Sequence, residues 1–202
     1  MTALVIALAA YLIGSISFAV LVSRAFGLAD PRSYGSHNPG ATNVLRTGKK
    51  AAAALTLIGD SAKGWLAVII AARYAQADAV TVTMAAAGFA VVLGHVFPVF
   101  FRFQGGKGVS TALGVLFGLN VYLAMGTAAT WIVIAVFFRI SSLAAIVAAL
   151  FAPFFALLLY HASHPFVIAV CAIAVLLLWR HQSNIRNILA GTETRLGTKK
   201  NV

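Results

Sequence analysis

The chain has 202 residues, 61% of them hydrophobic and only 9% charged, with a mean hydropathy of +0.96; soluble domains carry roughly 25% charged residues, so a soluble globular fold is excluded. Fifteen Lys and Arg stand against four acids, Asp30, Asp60, Asp78 and Glu193, for a formal net charge of +11. With no soluble domain to present a basic face, nucleic acid is set aside as a partner in favour of anionic lipid headgroups and anionic substrates.

The expected class is an all-α, polytopic integral membrane protein forming one domain over residues 1–202. Segment one runs from about Ala3 to Val22, long enough to span at the ~20 residues a bilayer requires. No basic region precedes it, so it is expected to be a retained first helix and not a cleaved signal peptide. A polar loop follows from Arg24 to Lys50. Segment two, Ala51 to Tyr74, is interrupted by Asp60 and Lys63, and segment three runs from Ala79 to Phe101. Segment four, Val109 to about Leu119, is too short to span upright and is expected to be a half-helix or to sit buried among the others. Segments five (Tyr122 to Phe138), six (Leu143 to Tyr160) and seven (Pro165 to Trp179) precede a polar tail.

The positive charges orient the chain. With about seven crossings and the first loop in the cytoplasm, thirteen of the fifteen Lys and Arg fall inside, including Lys199 and Lys200; only Arg73 lies at the outer end, and Lys63 is within a helix. The positive-inside rule then places the N-terminus outside and the C-terminus in the cytoplasm, provided segment four counts as a crossing. Every polar cluster, residues 24–50, 102–111, 139–142 and 180–200, shares the cytoplasmic face.

Between segments three and four lies Arg102-Phe103-Gln104-Gly105-Gly106-Lys107-Gly108-Val109-Ser110-Thr111. Glycine lets backbone N–H groups approach a ligand, a following helix adds its positive end, and Lys107 supplies a mobile charge, which together suit a phosphate. It is not a Walker A loop, because the lysine is followed by Gly108 and no strand precedes it. The plain alternative is a flexible turn between two membrane helices.

In the first loop, Gly35-Ser36-His37-Asn38-Pro39-Gly40-Ala41-Thr42-Asn43-Val44-Leu45-Arg46 crowds hydroxyls and amides beside an arginine. Asn38-Pro39-Gly40 suits a turn and Thr42 a helix cap, but turn chemistry does not require Asn43 or Arg46, whose guanidinium fork suits phosphate. After segment seven, His181 and Asn184 are three apart and would share one face of a continued helix. A lone interfacial histidine is commonly a polar anchor; paired with an amide and flanked by arginines it also suits a base or hydroxyl-orienting role. Asp60 and Lys63 at i, i+3 are read as neutralising each other. His95 is expected to support the glycine loop from the inner end of segment three, and His161 and His164, on the outer side, receive no role. Cys171 is alone in an apolar run, so neither a disulfide nor a Cys-based metal site is expected, and no acidic cluster suggests another metal or cofactor.

The set Gly35-Ser36 with Asn38 and Gly40-Ala41-Thr42-Asn43-Val44-x-Arg46, Gly94-His95-x-Phe97-Pro98-x-Phe100, Gly105-Gly106-Lys107-Gly108-Val109-x-Thr111 and Arg180-His181-x-x-Asn184-Ile185 with Gly191-x-Glu193 resembles the acyl-phosphate:glycerol-3-phosphate acyltransferases, the PlsY family of bacterial inner membranes. The resemblance implies transfer of a fatty acyl group from acyl phosphate to the 1-hydroxyl of sn-glycerol 3-phosphate, giving lysophosphatidic acid and inorganic phosphate on the cytoplasmic face. It implies Ser36, His181 and Asn184 at the reaction centre, and Arg46, Lys107, Gly105, Gly106 and Gly108 at the substrate phosphate, with Asn43, Ser142 and Arg139 at its edge. Besides substrates and membrane lipids, the enzyme that supplies acyl phosphate is a further partner it suggests. Arg102, Gln104 and Pro39 depart from the family pattern but touch no proposed chemical group. A phosphate or organic-anion transporter would use the same basic loops, but midplane polar groups and an internal repeat are missing; a non-catalytic scaffold would leave the one-sided clustering unexplained.

Overall fold

The computed structural model describes residues 1–197; Lys199 and Lys200, counted above on the cytoplasmic side, lie outside the described residues. The described chain is helical, with no strand: α1 (Thr2–Gly14), α2 (Phe18–Ala25), α3 (Ala41–Leu45), α4 (Lys50–Tyr74), α5 (Val80–Val96), α6 (Val109–Leu119), α7 (Val121–Phe138), α8 (Ser141–Leu159), α9 (Pro165–Arg180) and α10 (Gln182–Leu189), with short 3₁₀ turns at Ala77–Ala79 and Val99–Phe101 flanking α5. Five spans are long and apolar enough to cross a bilayer: Thr2–Ala25, Lys50–Tyr74, Ala77–Phe101, Val121–Phe138 and Ser141–Leu159. A sixth is obtained by counting α9 with α10 across their 58° bend. The protein is an integral, multi-pass membrane protein. Segment four is the 11-residue α6, about 16 Å long at 1.5 Å per residue, and it is buried among its neighbours through Thr111, Ala112, Gly114, Val115, Leu116 and Leu119.

Where lipid tails are as apolar as the side chains, helices associate by close packing of small residues. Gly64 of α4 faces the Thr111 carbonyl of α6, and Gly114 of α6 faces the Ser61 carbonyl of α4, so a Cβ at either would collide with backbone. Gly14 and Gly94 pair α1 with α5 in the same way, against the carbonyls of Val91 and Tyr11. In α8 the buried face is alanine throughout: Ala144, Ala145, Ala148, Ala149, Ala152 and Ala156.

Two expectations of continuous structure are corrected. Segment one breaks between α1 and α2 at Ser15–Ser17, where polar groups are exchanged with neighbouring elements. Lys63 donates to the Ile16 carbonyl at 2.7 Å, and Ser15 Oγ accepts the Val99 N–H at 3.3 Å. A backbone group freed inside a membrane needs such a partner. The helix through His181 is the second: α9 ends at Arg180, and α10 departs at an angle. Thr42 caps nothing either; Gly40 occupies the N-cap of α3, and Thr42 Oγ1 instead meets Ser141 Oγ at 3.2 Å.

Candidate active site

The first loop is folded around Asn43, which is buried. Its Oδ1 accepts the Ser36 N–H at 3.0 Å, and its Nδ2 donates to the carbonyls of Pro31 (2.7 Å) and Tyr34 (3.1 Å). With both amide hydrogens used, Asn43 shapes the loop that carries the exposed Ser36. Gly35 sits at φ +61, and a Cβ there would run into the Asn43 side chain and crowd Arg46. Arg46, at the end of α3, is half-buried, and no hydrogen bond or ion pair ties down its guanidinium among the described residues.

The glycine loop lies across the end of α5. The Gly106 N–H donates to the His95 carbonyl at 3.2 Å. A Cβ on Gly105 would strike the carbonyls of His95 and Val96 and the Pro98 ring; one on Gly106 would strike the His95 imidazole and come within 3.0 Å of the Pro39 carbonyl. Gly108, at φ +87, forms the N-cap of α6, a conformation glycine adopts without penalty. The glycines are therefore required by the protein's own packing, with α5 beneath and the first loop alongside, a different reason from the ligand approach expected from sequence.

Lys107 rises from this loop and donates from Nζ to Asn184 Oδ1 at 2.5 Å. Burial lowers its pKa to about 8; the Glu193 carboxylate opposes that shift, while the positive charges of Arg180 and Arg46 add to it. Asn184 Nδ2 donates to Glu193 Oε1 at 2.8 Å, and Ser142 Oγ donates to the same oxygen at 2.7 Å. Lys107 of the glycine loop, Asn184 of α10, Glu193 of the tail and Ser142 in the first turn of α8 thus form one continuous polar chain. His181 stands at the bend between α9 and α10, buried, with Nδ1 2.7 Å from the Leu177 carbonyl. A carbonyl can only accept, so Nδ1 carries the proton and Nε2 is left as the ring's acceptor.

Arg139 ends α7 at φ +57 and is exposed. It pairs with the tail: its carbonyl accepts the Leu196 N–H at 2.6 Å, and its Nη2 donates to the Leu196 carbonyl at 3.3 Å. Two participants were not singled out from sequence. Glu193 joins Asn184 to Ser142, and Arg180 donates from Nε to the Gly106 carbonyl (3.3 Å) and from Nη2 to the Gly105 carbonyl (3.2 Å). Both stood inside quoted motifs, Glu193 after Gly191 and Arg180 before His181, but their partners are set by tertiary placement. The fold brings together the glycine loop, the α9–α10 bend, the start of α8 and the tail. The loop that carries Ser36 borders this group at Pro39, whose carbonyl lies beside Gly106, and Ser36 itself makes no hydrogen bond to Lys107 or His181 among the described residues.

The family described as glycerol-3-phosphate acyltransferase matches residues 4–191 of the chain. The glycerol-3-phosphate acyltransferase of Burkholderia multivorans is 61% identical over 201 residues, covering 99% of this chain and 93% of that one. That of Burkholderia pseudomallei strain K96243 is 59% identical, covering 99% and 98%. Two crystal structures of PlsY, an integral membrane glycerol 3-phosphate acyltransferase, superpose on the fold. The glycerol 3-phosphate form has a TM-score of 0.89 at 38% identity, covering 98% of this chain and 97% of that one. The lysophosphatidic acid form has a TM-score of 0.88 at 36% identity, with the same coverage. The chain belongs to the glycerol-3-phosphate acyltransferase family of the PlsY type.

Proposed function

We propose that the protein transfers a fatty acyl group from acyl phosphate to the 1-hydroxyl of sn-glycerol 3-phosphate, releasing lysophosphatidic acid and inorganic phosphate. It acts as a single domain in the bacterial inner membrane, with its site facing the cytoplasm. The observation that carries this reading is the meeting of Lys107 with Asn184: two motifs 77 residues apart are joined by one hydrogen bond, with Arg180 and Arg46 close enough to depress the lysine's pKa. Such a concentration of cations, held at the mouth of an apolar bundle, suits two phosphate-bearing substrates of which one keeps its chain in lipid.

Lys107 and Arg46 hold the acceptor's phosphate, and the glycine loop fixes its height. The glycerol hydroxyl attacks the acyl carbon, the carbon–oxygen bond to the donor's phosphate breaks, and orthophosphate departs with the bonding pair. The hydroxyl proton leaves either to Nε2 of His181 or to the donor's own phosphate, with Ser36 and Asn184 orienting the groups. An acyl phosphate is an activated mixed anhydride, so holding the two reactants together supplies much of the rate, ~7–11 kcal/mol of the barrier in well-oriented cases. Cations around the leaving phosphate stabilise the charge it gains.

The test incubates purified protein with acyl phosphate and labelled glycerol 3-phosphate. Labelled lysophosphatidic acid with stoichiometric orthophosphate is the expected result. Product formed from an acyl thioester and not from acyl phosphate would reject the donor assignment.

A further inference from the structure

Beneath the glycine loop, inside the bundle, lies a second set of polar groups that the reaction does not use. Asp60 and Lys63 form an ion pair at 2.7 Å with side chains 3% exposed. Lys63 also donates to the Ile16 carbonyl at 2.7 Å, where the first span breaks. Mutual neutralisation accounts for the two charges, but not for the third member. Asp60 Oδ1 lies 3.5 Å from His95 Nδ1, and that nitrogen is 3.1 Å from Thr111 Oγ1 in the first turn of α6. Nδ1 therefore faces both the Asp60 carboxylate and the Thr111 hydroxyl, and its hydrogen bond with that hydroxyl ties the ring to α6.

The other edge of the same ring faces the loop. A Cβ on Gly106 would collide with His95 Nε2 and come within 3.0 Å of Cε1, and the His95 carbonyl accepts the Gly106 N–H at 3.2 Å. His95 thus supports the loop by its ring and by its carbonyl, and anchors the following helix through Thr111. The next residue after Gly106 is Lys107.

We propose that His95, oriented by the Asp60–Lys63 ion pair, is a positioning residue that sets the height of the glycine loop and with it the place of Lys107 against the substrate phosphate. The inference rests on Lys107 being a phosphate ligand, as argued above. It assigns the buried ion pair to substrate affinity, through a ring that touches no substrate.

The test is a double-mutant cycle between His95→Ala and Gly106→Ala, read both by equilibrium binding of glycerol 3-phosphate and by turnover, with thermal unfolding in detergent for every variant. Each single change is expected to weaken binding and raise KM by about tenfold, the loss of one charge-assisted hydrogen bond, while kcat changes by less than about threefold. The double variant should bind more tightly than the product of the two penalties, because the new methyl enters the space the ring vacates. His95→Asn, whose amide can donate to or accept from Thr111, should recover part of the affinity, and it replaces His95→Ala in the cycle if the alanine variant does not fold. Additive penalties, or a fall in kcat with KM and binding unchanged, overturn the proposal. A wild-type protein that binds glycerol 3-phosphate but yields no product from acyl phosphate sinks the donor reading and leaves the cycle valid. A productive wild type with an additive cycle does the reverse, and a wild type that does not bind glycerol 3-phosphate rejects both.

Discussion

A lysine that is half-buried among other cations can be read by pH. Lys107, with a pKa near 8, is charged below that pH and loses its charge above it, while a phosphate monoester is already dianionic above its second pKa of ~6. Glycerol 3-phosphate binding is therefore expected to hold up to about pH 8 and KM to rise beyond it. In Lys107→Arg the rise should flatten, because arginine does not titrate there; an equally steep rise in that variant would remove Lys107 from the phosphate. At the reaction centre, Ser36→Ala, His181→Ala and Asn184→Ala should each lower turnover by ~10²–10⁴-fold in protein that still inserts and folds, and their combinations should be far from additive. Full activity in any one of them would take that residue out of the centre. In sequence these residues stand out by their grouping, glycines around a lysine and an amide three residues from a histidine, while the packing that Gly105 and Gly106 serve against His95 and Pro98 has no sequence signal. Asn43 was not fully legible: an amide that suits a ligand equally suits the carbonyls of Pro31 and Tyr34, and only the loop's path shows that it binds them.

Helix boundaries inside the membrane follow hydropathy closely. Segment two was expected from Ala51 and is found as Lys50–Tyr74, and segment seven from Pro165 as Pro165–Arg180. Breaks were harder to see. Gly14-Ser15-Ile16-Ser17 carries a local signal for a bend, with Ser15 bonding back to the Tyr11 carbonyl, but its compensation comes from Lys63, 47 residues away in sequence from the carbonyl it serves. His164 likewise had no role until its Nδ1 was seen to accept the Phe166 N–H at 3.2 Å and its ring to stack on Tyr160. The pairing of helices rests on glycines whose partners sequence does not name. Gly114→Val should be the clearest case: with the Ser61 carbonyl where its Cβ must go, α4 and α6 have to separate, at about 1–3 kcal/mol or more. A lower unfolding temperature in detergent is the expected measurement, and an unchanged one would show that the two helices are not in contact there.

At the scale of the described molecule, the first loop, glycine loop, α9–α10 bend and tail converge at one polar end, joined through Thr42–Ser141, Arg180–Gly106 and Asn184–Glu193. Which side of the membrane that end faces is an experiment with one span between its two probes. In a Cys171→Ala background, a cysteine at residues 102–108 and another near Asp78 bracket Ala77–Phe101. An impermeant thiol reagent applied to intact cells should label the second and spare the first, and labelling of both from the same side would overturn the assigned topology.

The tail has a consequence for the order of synthesis. Glu193 accepts from Ser142 and Asn184, and Leu196 pairs with Arg139; both residues follow α10 in the chain, so they leave a ribosome that works from the N-terminus after every described helix. All the described spans can therefore be inserted while the polar chain leading to Lys107 still lacks the Glu193 carboxylate. A product cut short at Gly191 would retain its membrane helices but not the group that ties Asn184 to Ser142. The site is then closed only after the last described helix has been made, and a copy halted before Glu193 would sit in the bilayer without it.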